Sequence, residues 1–235
     1  NYYVISPRFA ITSSPEQLTQ AGKLMAEHPS CYLQTHLAEN EAEIKFTMSL
    51  YPTAKNYLDI YQKFGLVGSK SLMGHSIHLD QNEISVLREL NAIAVHCPTS
   101  NMFLGSGFFP MEKLIKSGVK LGIATDVGGG TSYSMINTLD ASYKIQQFLN
   151  FSLNPFYSFY WATLGNAKAL GLEKEIGSFN TGCFADIVVM NAGSDLVSKT
   201  RMSTCKSLAE ELFVLQTLGG IHSIKAVYIA GESPK

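Results

Sequence analysis

Three places in the 235-residue chain set a metal-binding or proton-moving side chain directly after an apolar run. In the stretch Gln34 to Asn40, His36 closes such a run and a carboxylate, Glu39, follows three residues later. An imidazole can give a lone pair to a divalent metal, and a carboxylate can carry protons to and from a metal-activated water. Gly74 and His75 close a second run, where glycine lets the backbone approach a ligand closely. His78 follows, but two histidines three apart in an extended segment cannot both face one side. His75 is therefore the ligand candidate, and His78 a supporting or structural group. Asp126 closes a third run, ahead of the turn-permitting Gly128, Gly129 and Gly130. Each motif has a plainer reading alone. The His36–Glu39 pair could be a surface loop, and Asp126 could cap the next helix. Together, His36, His75 and Asp126 make a mixed nitrogen and oxygen set suited to a hard or borderline divalent metal such as zinc, with no thiolate. His96, before Cys97 and Pro98, reads as structural, shaping a loop through Ser100 and Asn101.

The elements that must position these residues alternate. Strand-like runs at Tyr2–Ile5, Cys31–Thr35, Ser71–Gly74, Ala92–Val95 and Val119–Ala124 are separated by helical patterns. The helices start on good caps: Ser14 before Pro15, Asn40, and Asp80 with Glu83. Strand and helix repeat at about 30 to 40 residues, the pattern of parallel βαβ units. Polar residues follow the strands at once, among them Arg8, His36, His75, His96 and Asp126, where a (β/α)₈ barrel carries its chemistry. Five such strands lead up to Asp126, and a closed barrel needs eight, so the expectation places three upstream of Asn1. After about residue 137 the pattern changes. A helix runs from Asn154–Pro155 toward Leu170–Gly171, and a buried strand covers 185–190. Residues 193–207 read as a loop, Glu210–Leu218 as a helix and Ala226–Ile229 as a strand. The expected division is a partial metal-dependent hydrolase barrel over 1–175 and a segment 176–235. That segment would contribute to a small β-sandwich and a terminal helix.

The motifs Thr35–Asn40, Gly74–His75 with Ile77–Leu79, His96–Asn101 and Thr125–Gly129 resemble the deaminase branch of the amidohydrolase superfamily. Within it, Ser6–Ala10 and Thr125–Met135 are similar to the guanine deaminases. Ala162–Thr163, Ala167, Ala169–Gly171, Gly177, Gly182 and Ala185–Val188 resemble that family's last barrel helix and its return into the sandwich. The likeness runs along nearly the whole chain. It implies strands 4 to 8 of a zinc-dependent (β/α)₈ barrel that hydrolyses guanine to xanthine and ammonia in purine catabolism. His36 and His75 would be zinc ligands and Asp126 a ligand and base, with one zinc ion per site. Glu39 would be the proton shuttle, and Arg8 and Phe9 would hold the guanine by hydrogen bonding and packing. The resemblance also implies a homodimer. The family's other two zinc ligands, a His-x-His pair, have no counterpart among the six histidines here. The chain alone is therefore expected to bind zinc poorly and to be inactive. The alternatives are a deaminase of the same branch acting on an adenosine-type nucleoside or a triazine, and a non-catalytic partial barrel.

Composition excludes other classes. Apolar residues make 46% of the chain and charged residues 16%, enough to bury a core. Lysine plus arginine is 18 against 19 for aspartate plus glutamate, a net charge of −1, so no basic footprint for nucleic acid exists. No apolar run suggests a membrane span. Four scattered cysteines, Cys31, Cys97, Cys183 and Cys205, argue for reduced thiols and a cytoplasmic protein. The glycines at 128–130 lack the lysine of a phosphate loop and read as a turn beside the metal.

Overall fold

A computed structural model describes residues 1–234. They form two compact units, Asn1–Gly122 and the remainder from Ile123, and the boundary expected at 175 falls inside the second.

The first unit is built of alternating strands and helices. In order they are β1 (Val4–Ile5), α1 (Pro15–Glu27), β2 (Tyr32–Leu37), α2 (Glu41–Leu50), α3 (Tyr57–Lys63), β3 (Ser71–His75), α4 (Gln81–Glu89), β4 (Ile93–His96), α5 (Pro98–Leu104), α6 (Met111–Lys116) and β5 (Lys120–Ile123). The strands lie side by side in chain order, and β1–β2, β2–β3 and β3–β4 pair in parallel. Sequential parallel order follows from helical crossovers, which return each strand beside its predecessor. Leu33, Leu37 and Met73 bury one face of β2 and β3, and β4 is buried at all four residues, Ile93 and Ala94 included, as expected of a helix-covered parallel strand.

Local chemistry starts the helices as expected. The Ser14 hydroxyl accepts from the Gln17 N–H with Pro15 in the first turn. Asn40 with Glu43, and Asp80 with Glu83, form reciprocal capping boxes. Glu83 is buried and also accepts from the Leu58 N–H at 3.1 Å, so one side chain starts α4 and anchors α3. Two elements exceed the expectation. Tyr57–Lys63 is helical, with Asn56 capping it. Pro98–Leu104 is a helix and not only a shaped loop, because Pro98 occupies its first turn and Gly105 ends it at φ +69°.

The second unit holds α7 (Met135–Phe148), α8 (Pro155–Tyr160), a π-helical turn at Trp161–Gly165 and α9 (Asn166–Leu170). After these come β6 (Ile187–Met190), α10 (Leu196–Met202), α11 (Leu208–Leu218) and β7 (Ile224–Tyr228). Asn154 and Gly171 bound the α8–α9 run as expected. Two readings are corrected. The 193–207 segment is not a loop throughout. Asp195 accepts from the Val197 and Ser198 N–H groups and starts α10, whose Leu196 and Val197 are exposed, so no apolar periodicity announces it. The strand read as buried is half exposed at Val188 and Val189, because β6 pairs with β7 alone in a two-stranded antiparallel sheet. The helix expected at Glu210–Leu218 is α11, and the strand expected after it is β7.

Candidate metal centre

His36 and His75 stand at the ends of neighbouring strands, and the register decides how they meet. Leu37 pairs with His75, and His36 pairs with Gly74, so a regular pleat would turn the two imidazoles to opposite faces. The backbone breaks the pleat there. His75 has φ +68°, Ser76 +48° and Ala38 +48°. Left-handed conformations at such residues cost energy and cluster where function requires them. The turn is held because the Ser76 N–H donates to Leu37 O at 2.8 Å and the His78 N–H to Ala38 O at 3.1 Å. As a result the His36 and His75 ring centroids lie 5.0 Å apart. Glu39, at the same end of β2, completes a group whose ligand atoms all lie within 4.8 Å of one another.

Each histidine is oriented by a second group. His36 Nδ1 lies 2.8 Å from the Arg8 carbonyl. A carbonyl only accepts, so Nδ1 carries the proton and Nε2 the lone pair. The Arg8 carbonyl also accepts from the His36 N–H at 3.1 Å. On the other side, the Tyr61 hydroxyl donates to His36 O at 2.8 Å and accepts from the Ala10 N–H at 2.9 Å. The Phe9 ring lies flat against His36, and the Arg8 guanidinium sits 4.9 Å from the Phe9 centroid.

His75 is buried, with Nδ1 at 2.8 Å from Asn101 Nδ2 and Nε2 at 3.8 Å from Glu39 Oε2. The Asn101 Oδ1 atom is buried with no hydrogen-bond partner among the described residues. Turning that amide over gives the orphaned oxygen a proton to accept, from His75 Nδ1–H, and leaves the Nε2 lone pair to a metal. The two imidazoles therefore offer nitrogen donors that fit a divalent ion of the zinc type, with the Glu39 carboxylate beside them.

Glu39 is buried as well. Its Oε1 accepts from the Ser106 hydroxyl at 2.8 Å, and its N–H donates to Glu43 Oε2 at 3.0 Å. Burial is the largest influence on Glu43 and raises its pKa. His96 is wholly buried and stacked on Phe109, with centroids 4.6 Å apart. Burial first, and the neighbouring His75 second, push its pKa down to about 3, so it stays a neutral packing group.

Asp126 belongs to the second unit, beyond the end of β5, with φ +47°. Its carbonyl accepts from the Gly129 N–H at 3.1 Å and also from the Gly130 N–H, so the glycines form the tight turn expected of them. It does not cap the next helix, since Ser134 caps α7. Of the residues singled out in sequence, His36, Glu39 and His75 come together, with Arg8 and Phe9 packed behind His36. Ser106 and Tyr61 were missed. The flanking Gly105 and Gly107 are the one local signal for Ser106, and Tyr61 carries none.

A set of known proteins is similar to this chain. The sequence profile of the amidohydrolase family matches residues 2–233. Guanine deaminase of Escherichia coli is 43% identical over 230 residues, covering 98% of this chain and 52% of its own length. The solved structure of E. coli guanine deaminase superposes with a TM-score of 0.98 at 42% identity, over 100% of this chain and 55% of that one. Guanine deaminase from C. acetobutylicum, solved with guanine in its active site, gives 0.88 at 30% identity over 98% and 54%. An adenosine deaminase from Xanthomonas campestris, solved with bound zinc, gives 0.85 at 25% identity over 97% and 50%. The chain thus spans about half the length of the curated relatives it matches. The α/β architecture is that of a TIM-barrel-like metal hydrolase. On its strand order, its metal-fitting histidines and this profile, the chain belongs to the amidohydrolase family.

Proposed function

We propose that the whole protein to which this chain belongs hydrolyses guanine to xanthine and ammonia. The observation that carries the reading is the convergence of His36, Glu39 and His75, each imidazole with its Nδ1 engaged by another group. The likeness to guanine deaminases supports the choice of substrate. In this reading His36, His75 and Asp126 hold one zinc ion, and a His-x-His pair supplies further ligands. Zinc, when held, lowers the pKa of water toward about 7 and so makes a nucleophile available at neutral pH.

The chain's own residues move the protons. Glu39 takes one proton from the water through the carboxylate oxygen that faces His75 and delivers it to a nitrogen of the purine ring, as the water oxygen bonds to the ring carbon bearing the exocyclic amine. The second proton passes from the added hydroxyl to that amine, the C–N bond breaks, and the amine leaves as ammonia. Asp126 serves as the second base. The Arg8 guanidinium hydrogen-bonds the purine, and Phe9 packs against it while bracing His36. The strands of the first unit correspond in this reading to strands 4 to 8 of the barrel, and the segment 176–235 to part of a small β-sandwich. The protein is read as a cytoplasmic homodimer.

Xanthine and ammonia formation from guanine by the zinc-loaded whole protein tests the reading. Deamination of adenosine with guanine untouched would replace it with the adenosine-type alternative. The 235-residue chain by itself is expected to bind zinc weakly and to turn over no guanine.

A further inference from the structure

We propose that Ser106 is the positioning residue for Glu39, held in place by His78 and by the glycine that follows it. The inference rests on the proton-shuttle reading of Glu39 given above. A carboxylate with both oxygens unconstrained can rotate about its terminal bond and present either one. Here Oε1 is taken by the Ser106 hydroxyl at 2.8 Å, and Oε2 faces His75 Nε2 at 3.8 Å. Both residues are less than a tenth exposed, so water does not compete freely for the carboxylate. A hydroxyl that donates to a buried carboxylate makes a charge-assisted bond, stronger than a neutral one and directional. Its effect is to lock one oxygen and leave the other as the working atom.

Ser106 is itself fixed from three directions. Its N–H donates to Asn101 O at 2.9 Å, closing the end of α5 beyond the left-handed Gly105. Its carbonyl lies 2.8 Å from His78 Nε2, and since a carbonyl only accepts, that nitrogen carries the proton. Gly107 follows at φ +130°, and a Cβ there would stand 3.1 Å from His78 Nε2 and 3.1 Å from Ile77 Cγ2. Glycine is required both for the backbone angle and for the space the His78 ring fills. His75 at the end of β3 and His78 just beyond it thus have separate tasks. His75 faces the metal group, and His78 braces the loop behind Glu39. The same loop and helix supply Asn101 to His75, so one segment orients both.

The test uses the zinc-loaded whole protein. Ser106→Ala is expected to lower kcat for guanine about 10- to 100-fold, the range found for partners that orient site groups, with KM and zinc content unchanged. Ser106→Thr keeps the hydroxyl and should recover most of the loss. In a Glu39→Gln background, Ser106→Ala should add nothing, because a residue acting only through Glu39 has nothing left to act on. A second readout is independent of turnover. The infrared carboxylate band that disappears in Glu39→Gln should shift in Ser106→Ala, as its hydrogen bond is lost. Gly107→Ala, which displaces Ser106 without removing it, should reproduce the kcat loss and the shift.

An unshifted band together with undiminished kcat would overturn the proposal while leaving guanine hydrolysis standing. Equal losses from Ser106→Ala with and without Glu39 would also overturn it, as the mark of a merely structural role. A shifted band in a protein that ignores guanine would uphold the Ser106–Glu39 pairing and fell the guanine reading instead.

Discussion

The Phe9 ring lies flat on the His36 imidazole, with centroids 3.9 Å apart and planes within 10° of parallel. Packing on one face and the Arg8 carbonyl at Nδ1 leave the imidazole a single orientation. A ligand held in this way keeps its lone pair aimed without paying for order when the metal arrives.

Phe9→Leu should therefore weaken zinc binding by about 10-fold, the lower end of the effect of losing a group that orients a ligand. Zinc titration of the whole protein with a competing chelator measures it. Unchanged affinity would show that the Arg8 carbonyl suffices.

Glu39→Gln keeps the shape of the side chain and removes its capacity to take a proton. Turnover of guanine should fall by about 10²-fold or more while zinc content stays at the wild-type level. His36→Ala and His75→Ala should instead lower zinc content directly. Metal analysis beside steady-state kinetics separates the two behaviours, and zinc loss in Glu39→Gln would make Glu39 a ligand.

Tyr61→Phe deletes one oxygen that accepts from the Ala10 N–H and the Thr35 hydroxyl and donates to His36 O. The residue is fully buried, so the groups left behind cannot turn to water. The expected loss is about 1–3 kcal/mol of stability. Denaturant unfolding reads this directly, and zinc affinity should fall with it because His36 loses a backbone support.

His96 sets an acid limit. Its folded pKa of about 3 lies below the ordinary value of 6.5, so the unfolded chain binds the proton more tightly. Its contribution is fully present above pH 6.5 and is lost progressively as pH falls toward 3. His96→Phe, which preserves the stack on Phe109, should flatten the loss of stability across that window. Chemical unfolding at a series of pH values checks the slope, and an unaltered slope would place the acid sensitivity elsewhere.

Much of the fold was legible in the residue order because its causes are local. Caps at Ser14, Asn40 and Asp80, and the stops at Gly118 and Gly171, act within a few residues of chain. Apolar runs of strand length, each followed by a polar residue, marked the ends of β2 and β3 and hence His36, Glu39 and His75. The α10 helix escaped notice because a single cap starts it and exposed apolar residues fill it, so it has no periodic face. The site's support depended on contacts between residues far apart in sequence. Tyr61 reaches His36 and Ala10, and Ser106 reaches Glu39, across separations that no spacing rule encodes. The sequence determined which side chains could bind a metal and which strand ends carry them. Only the tertiary structure decided that His75 turns back toward His36, because a left-handed residue must reverse the pleat, and the end of the neighbouring β2 provides the carbonyls of Leu37 and Ala38 that hold it there.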